Sequence, residues 1–266
     1  MNYNAINQKD ELFFILGPCA IESKEHTLFM AEEINNICQK LGVKFIFKSS
    51  FDKANRTSVN SKRGVGMKEG LDVLAEIKSK FNIPITTDVH VADHCLEVAK
   101  VADILQIPAF LSRQTDLLIA AAKTDAIINV KKAQFSAPWD MKSVIEKIKS
   151  TSNNKIILTE RGTSFGYNNL VVDMISLPVM SNLGVPVIFD GTHSTQLPSG
   201  NGASSSGRSD MILPLAKAAV ATGFVDGVFL EVHDDPANAM CDQDCQLKLS
   251  KLEETLKSLV CVFNAS

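Results

Sequence analysis

Eight short runs of β-branched and aliphatic residues, each followed by an amphipathic stretch, limit most strongly what this chain can fold into. The runs are Leu12–Cys19, Lys44–Ser50, Ile85–His90, Ile104–Pro108, Ile127–Lys132, Lys155–Gly162, Pro186–His193 and Val228–His233. Apolar residues at helical spacing follow most of them. In Ser23–Leu41 they fall at 28, 30, 34, 37 and 41, behind a Ser N-cap with Glu25 in the first turn, and Gly42 ends the stretch. Further helical patterns span Gly66–Phe81, Val91–Val101, Gln114–Lys123, Trp139–Ser150, Leu170–Leu183, Met211–Thr222 and Cys245–Phe263. Eight strand–helix units in 266 residues predict an α/β protein of one domain, a (β/α)8 TIM barrel over 1–266. A doubly wound open sheet is the alternative. It calls for a glycine fingerprint directly after an early strand, whereas Gly64, Gly66 and Gly70 have the wrong spacing and follow a loop. The Gly/Ser-rich stretch Ser194–Arg208 is the one long loop, expected to be a lid or a disordered segment.

Charge and composition narrow the function classes. The net charge is −3, which gives no support for a nucleic-acid or anionic-membrane partner. No apolar run approaches the roughly 20 residues of a membrane helix. The run Leu12–Leu16 follows the acidic pair Asp10–Glu11, unlike a secretory leader. The six cysteines (19, 38, 95, 241, 245, 261) contain no C-x-x-C pair and read as reduced thiols of a cytoplasmic protein.

The polar residues fall at the C-terminal ends of the runs: Cys19, Lys48, Asp88 and His90, Gln106, Lys131, Arg161, His193, and Glu231 with His233. Residues two apart on a strand share a face, so Asp88/His90 and Glu231/His233 each point one way. In a barrel these ends ring one mouth, where barrel active sites sit. Any one of these charges alone reads as half of a structural pair. Together they are costly to bury without a ligand. Lys48, Lys53, Arg56, Lys131 and Arg161 suit a substrate with several anionic groups. Lys132 and Lys62 are expected on a solvated face. Cys19, His193, Glu231 and Asp242 come from the first, seventh and eighth strands and the loop after the eighth, neighbours in a closed barrel. A thiol, an imidazole and two carboxylates suit a divalent ion such as Zn²⁺, Fe²⁺ or Mn²⁺. A lone strand-end Cys is more often a small core residue, and Cys241 and Cys245 at C-x3-C spacing are a weak metal signal.

At these residues the chain closely resembles the 3-deoxy-D-manno-octulosonate 8-phosphate (KDO8P) synthase family, in its metal-dependent class. The segments that carry the resemblance are Phe47–Ser58 (with Lys53-Ala-Asn-Arg56), Thr87–His90, Gln106–Asp116, Ile128–Lys132, Arg161–Tyr167, Phe189–His193 and Phe229–His233, in collinear order over nearly the whole chain. The resemblance implies a (β/α)8 barrel, usually a homotetramer, acting in lipopolysaccharide biosynthesis. It implies an aldol-type condensation of phosphoenolpyruvate with D-arabinose 5-phosphate and water, giving KDO8P and phosphate. Lys48, Lys53, Lys131 and Arg161 would hold phosphoenolpyruvate, with Gln106 nearby. Asn55, Arg56 and Thr57 would meet the sugar phosphate, with Asp88 and His90 near its hydroxyls. Arg113 would reach the sugar phosphate of a neighbouring subunit. Lys53, Lys131 and His193 are the implied catalytic groups.

Cys at position 19, where metal-independent members carry Asn, implies a metal held by Cys19, His193, Glu231 and Asp242. The segment Cys241-Asp-Gln-Asp-Cys245 departs from the family pattern and leaves Asp244 as a substitute for Asp242. Thr57 stands where Ser is common and keeps the hydroxyl. Two rival readings remain. A 3-deoxy-arabino-heptulosonate 7-phosphate (DAHP) synthase would use erythrose 4-phosphate and carry Lys-Pro-Arg in place of Lys53-Ala-Asn-Arg56. A non-catalytic sugar-phosphate-binding barrel is the other.

Overall fold

Alternation along each strand sets the architecture, because it sends one set of side chains into the barrel and the other against the helices. A computed structural model describes residues 3–6, 10–56, 58–198 and 206–266; Thr57 and the tip of the predicted lid lie outside the described residues. The eight strands are β1 Phe13–Gly17, β2 Phe45–Lys48, β3 Ile85–Asp88, β4 Ile104–Ile107, β5 Ile127–Lys131, β6 Ile156–Glu160, β7 Val187–Asp190 and β8 Gly227–His233. Each pairs in parallel with the next, and β8 pairs back to β1 with Glu231 opposite Gly17. The predicted (β/α)8 barrel is therefore the observed fold, and β7, β8 and β1 are consecutive neighbours in it.

The inward residues form layers. The lower layers are apolar: Phe13, Ile15, Ile46, Ile104, Ile127, Ile157, Ile188 and Phe229. The helical turn Tyr3–Ile6 packs beneath them, with Ile6 in that cluster and the Tyr3 hydroxyl donating to the Ile156 carbonyl at 2.9 Å. Above sit Asn129 and Thr159, hydrogen-bonded to each other at 2.7 Å. The topmost inward positions are the charged strand ends. The outward residues, among them Phe14, Leu16, Phe47, Leu105, Val130, Leu158, Phe189 and Leu230, pack with the helices in a separate, larger core.

The principal helices are α1 Lys24–Leu41, α2 Met67–Phe81, α3 Cys95–Ala99, α4 Thr115–Ala122, α5 Met141–Lys149, α6 Ser176–Ser181, α7 Ile212–Val220 and α8 Leu252–Ala265. The N-cap of α1 is as predicted: the Ser23 hydroxyl accepts from the His26 N–H at 3.1 Å, and Gly42 closes the helix at φ 66°.

Three expectations are corrected. Leu170–Leu183 is not one helix. Leu170–Val171 pairs with Thr163–Ser164 as a small hairpin, and the Asp173 carboxylate accepts from the Ile175 N–H at 2.9 Å, so a turn precedes α6. In Cys245–Phe263, Leu247–Lys248 extends the sheet beside Val232–His233, a 3-10 turn follows at Leu249–Lys251, and the α-helix begins only at Leu252. Lys132 is not on a solvated face. It has the outward parity of β5 and lies fully buried, 3.6 Å from Glu160, donating to the Ala133 and Ser136 carbonyls and the Thr163 hydroxyl. The outward face here meets a covering loop rather than water.

Gly17 ends β1 against the backbone of Lys48. Its φ is +156°, and a Cβ there would collide with the Lys48 carbonyl oxygen, so a side chain at 17 would push apart the strand ends carrying Cys19 and Lys48.

If the inner layer carries the barrel, Ile157→Ala costs about 2–5 kcal/mol of stability, the usual range for emptying such a site. Chemical denaturation would show this as a lower midpoint, and an unchanged midpoint would show that the inner layer is loosely packed.

Candidate active site

A cavity of about 420 Å³ opens at the C-terminal ends of the strands and is lined by Lys48, Lys53, Asn55, Arg56, Asp88, His90, Gln106, Lys131, Arg161, His193, Glu231 and Asp242. These residues come from seven of the eight strands and the loops that follow them. The apolar layer below forms the floor.

Each cation is placed by its strand and then restrained by acceptors. The Lys48 ammonium donates to the Cys19 carbonyl at 3.1 Å, the Ser50 hydroxyl at 3.0 Å and Glu231 Oε1 at 3.3 Å. Lys53 reaches the same hydroxyl at 3.0 Å and lies 3.9 Å from Glu231. Lys131 sits 2.6 Å from Asp190 Oδ2 and 3.7 Å above the centre of the Phe229 ring. Burial pushes the Lys131 ammonium below its ordinary value, against the pull of Asp190. Arg161, only 4% exposed, donates to Gln196 Oε1 at 3.1 Å, while its Nη1 has no partner. Arg56 Nε and Nη2 are likewise buried without partners. Among the described residues no carboxylate forms an ion pair with Arg56 or Arg161.

The carboxylates are ionised in spite of burial. Glu231 would be raised by desolvation, yet His193, Lys48 and Lys53 bring it down to about 2. Asp190 is also buried, and His193 and Lys131 hold it well below the usual carboxylate range. Its Oδ1 accepts the Thr192 and His193 backbone N–H groups at 3.1 and 2.9 Å, and its Oδ2 lies 2.9 Å from His193 Nδ1. Asp190 thus fixes the Lys131 ammonium and turns His193 so that Nε2 faces the cavity. Asp88 is held down by His90, 3.0 Å away, and by Lys48, which together overcome its desolvation.

On the opposite flank, two groups of ion-binding side chains share Asp242: His193, Glu231 and Asp242 form one, and Cys19, Cys241 and Asp242 the other. His193 Nε2 lies 3.7 Å from Glu231 Oε1 and 4.0 Å from Asp242 Oδ2. The Cys19 thiol donates to Asp242 Oδ2 at 3.1 Å. Glu231 Oε2 is buried without a hydrogen-bond partner. Asp242 adopts φ 51°, a left-handed conformation that Asp tolerates better than most residues, and Gln196 Nε2 donates to its Oδ1 at 3.0 Å. Asp244 lines the cavity but joins neither group.

The structure thus gathers the sequence-predicted residues, with three exceptions. Thr57 lies outside the described residues. Arg113 is exposed and away from this cavity, its carbonyl accepting from Lys147 at 3.2 Å. His233 does not line the cavity; its ring stacks on His26 with centroids 4.7 Å apart, and Glu22 and Asp234 flank it. Sequence reasoning missed Asp190 and Gln196, and read Cys241 only as a weak metal signal. Strand parity could have found Asp190, which shares the inward face with Ile188. Gln196 lies on the short strand Gln196–Leu197 outside the barrel, and Cys241 on the loop after β8, where the barrel's periodicity gives no guide.

The chain matches the family model described as the DAHP synthetase I family over residues 3–264. Curated relatives include a 2-dehydro-3-deoxyphosphooctonate aldolase of Trichlorobacter lovleyi, 56% identical over 93% of this chain and 91% of that protein. Proteins of the same name from Rickettsia prowazekii and Rhizobium meliloti are 55% and 52% identical, each over 96% of this chain and 94% and 90% of their own lengths. With a family match over nearly its full length and relatives more than 50% identical over most of it, the chain belongs to the DAHP synthetase I family.

Proposed function

We infer that the chain catalyses the condensation of phosphoenolpyruvate with D-arabinose 5-phosphate and water to KDO8P and inorganic phosphate, a transferase reaction. The observation that carries this reading is the convergence of Lys48, Lys53, Lys131 and Arg161 on one cavity, with the Arg161 guanidinium lacking a carboxylate partner. Such a charge is stable when an anion completes it. The choice of sugar rests on relatives that share the name 2-dehydro-3-deoxyphosphooctonate aldolase, and the DAHP synthase alternative is not favoured.

In this reading Lys48, Lys53, Lys131 and Arg161 bind the phosphate and carboxylate of phosphoenolpyruvate, with Gln106 beside them. Asn55, Arg56 and Thr57 bind arabinose 5-phosphate, and Asp88 and His90 meet its hydroxyls. The π electrons at C3 of the enol phosphate form the new C–C bond to the aldehyde carbon, whose oxygen takes up a proton. Water adds at C2 and gives up a proton. The bond from C2 to the phosphate ester oxygen then breaks as the new C2 hydroxyl becomes the ketone, its proton passing to the departing phosphate. Lys131, fixed by Asp190, carries protons between these positions, His193, turned by the same carboxylate, would hold a bound ion beside them, and Lys53 steadies the negative charge. Holding both substrates in reacting geometry supplies much of the rate.

The donor set fits a divalent cation, with Cys19, His193, Glu231 and Asp242 as the proposed ligands. Ligand atoms about 2.0–2.3 Å from a tetrahedral ion lie about 3.3–3.8 Å apart, close to the separations present here. The unpartnered Glu231 Oε2 also suits an ion. Zn²⁺, Fe²⁺ and Mn²⁺ all suit this set. Once bound, the ion supplies positive charge that orients and polarises the sugar aldehyde.

A homotetramer is the proposed assembly, with Arg113 serving the sugar phosphate at a neighbouring site. Its exposure, three residues along the chain from Phe110, which lines the cavity and is itself half-exposed, supports this placement. All six cysteines are free, in keeping with a cytoplasmic enzyme, and no helix among the described residues is long and apolar enough to cross a membrane. The role is a step of lipopolysaccharide biosynthesis.

Three measurements test this. Phosphate release from phosphoenolpyruvate should require arabinose 5-phosphate; release with erythrose 4-phosphate instead would make the chain a DAHP synthase, and release with neither would favour a binding barrel. Exhaustive chelation should abolish turnover and Cys19→Ala should abolish ion retention by elemental analysis; full turnover after chelation, or unchanged metal content, would contradict the ligand set. Arg113→Ala should raise KM for arabinose 5-phosphate on the order of tenfold or more, the loss of a charge-assisted phosphate contact, and leave KM for phosphoenolpyruvate unchanged. Unaltered kinetics would remove Arg113 from the site.

A further inference from the structure

The geometry points to Cys241 as a second thiolate ligand of the metal centre, one that makes the site in this chain selective for thiophilic divalent ions. This rests on the metal reading above and adds a donor to it.

The Sγ atoms of Cys241 and Cys19 are 2.7 Å apart, and both residues are almost fully buried. Cys241, Cys19 and Asp242 bring their ligand atoms within 4.8 Å of one another, as His193, Glu231 and Asp242 do. One ion between the two groups therefore meets sulfur on one side and nitrogen and oxygen on the other.

The pairing of the two cysteines is built into the backbone. Gln246 is buried, and its side-chain amide spans the segments that carry them. Its Oε1 accepts from the Cys19 N–H at 3.3 Å, and its Nε2 donates to the Cys241 carbonyl at 2.8 Å. Glu22 secures the same loop from the other side by accepting the Met240 N–H at 2.6 Å. Cys245 is the contrasting case. Its thiol lies 3.5 Å from the Ser206 carbonyl, against the backbone of Gly207, and it belongs to neither ion-binding group.

Two thiolates favour borderline and soft ions such as Zn²⁺ and Co²⁺ over hard ones such as Mn²⁺. On binding, each thiol would give its proton to solvent, and the sulfurs would move apart from 2.7 Å to the wider spacing of two ligands on one five-coordinate ion.

The test uses the full chain, stripped and reloaded with Co²⁺, reading the near-ultraviolet thiolate-to-cobalt charge-transfer band per bound cobalt. Cys241→Ser should keep one cobalt and lose about half of the band, because one of two Co–S bonds is gone. Cys245→Ser should leave the band intact. A band unchanged in Cys241→Ser at equal cobalt content would overturn the assignment and leave the Cys19-based metal site standing. Absence of any such band in the unaltered chain would overturn both. X-ray absorption of the unaltered zinc-loaded chain decides the matter without a variant: two sulfur neighbours at about 2.3 Å are expected, and a single one refutes the proposal.

Discussion

Charge buried in a protein must be answered by opposite charge or by hydrogen bonds, and that constraint organises the whole upper end of this barrel. The closed sheet leaves every second residue no direction but inward. Low on the strands those residues are Ile and Phe; at the top they are Lys48, Asp88, Lys131, Arg161, Asp190 and Glu231, nearly all excluded from water. Asp190 and Glu231 make the arrangement possible. Each is ionised, each touches His193, and between them they hold the ammonium groups of Lys131, Lys48 and Lys53. Left over are the two guanidinium groups, which an anionic substrate would complete.

The cavity has two chemically distinct flanks that share parts. Asp190 joins Lys131 on the cationic flank to His193 on the ion-binding flank. Gln196 joins them a second time, accepting from Arg161 and donating to Asp242. A substrate that binds the cations and an ion held by the carboxylates would therefore each alter the surroundings of the other through single side chains. This suits a reaction in which an enol phosphate on one side must meet an aldehyde on the other.

The fold was legible in the chain because its strands obey a period of two and most of its helices a period near 3.6, and the polar strand ends stood out against apolar runs. Legibility failed where the period did. Leu170–Leu183 has helical spacing, but Asp173 makes a turn that the spacing does not register. Lys132 reads as part of a solvated basic face, but the neighbouring hairpin covers it and supplies Thr163, while the end of β6 supplies Glu160. In the site, residues carried by barrel strands were readable, while Gln196 on a short outer hairpin and Gln246 on the loop after β8 act from segments whose paths depend on tertiary contacts, and Cys241 on that loop gave only a weak signal. Asp190 is within reach of parity, since it shares the inward face of β7 with Ile188, but it stands three residues before the more conspicuous His193.

A crystal structure with phosphoenolpyruvate bound tests the central claim most directly, namely that the cations at the strand ends form one anion site next to the ion-binding cluster. The phosphate and carboxylate should lie within hydrogen-bond distance of Arg161, Lys131, Lys48 and Lys53, with C3 turned toward the flank of His193, Glu231 and Asp242. Phosphoenolpyruvate bound elsewhere, with Arg161 and Lys131 contacting only protein groups, would contradict it.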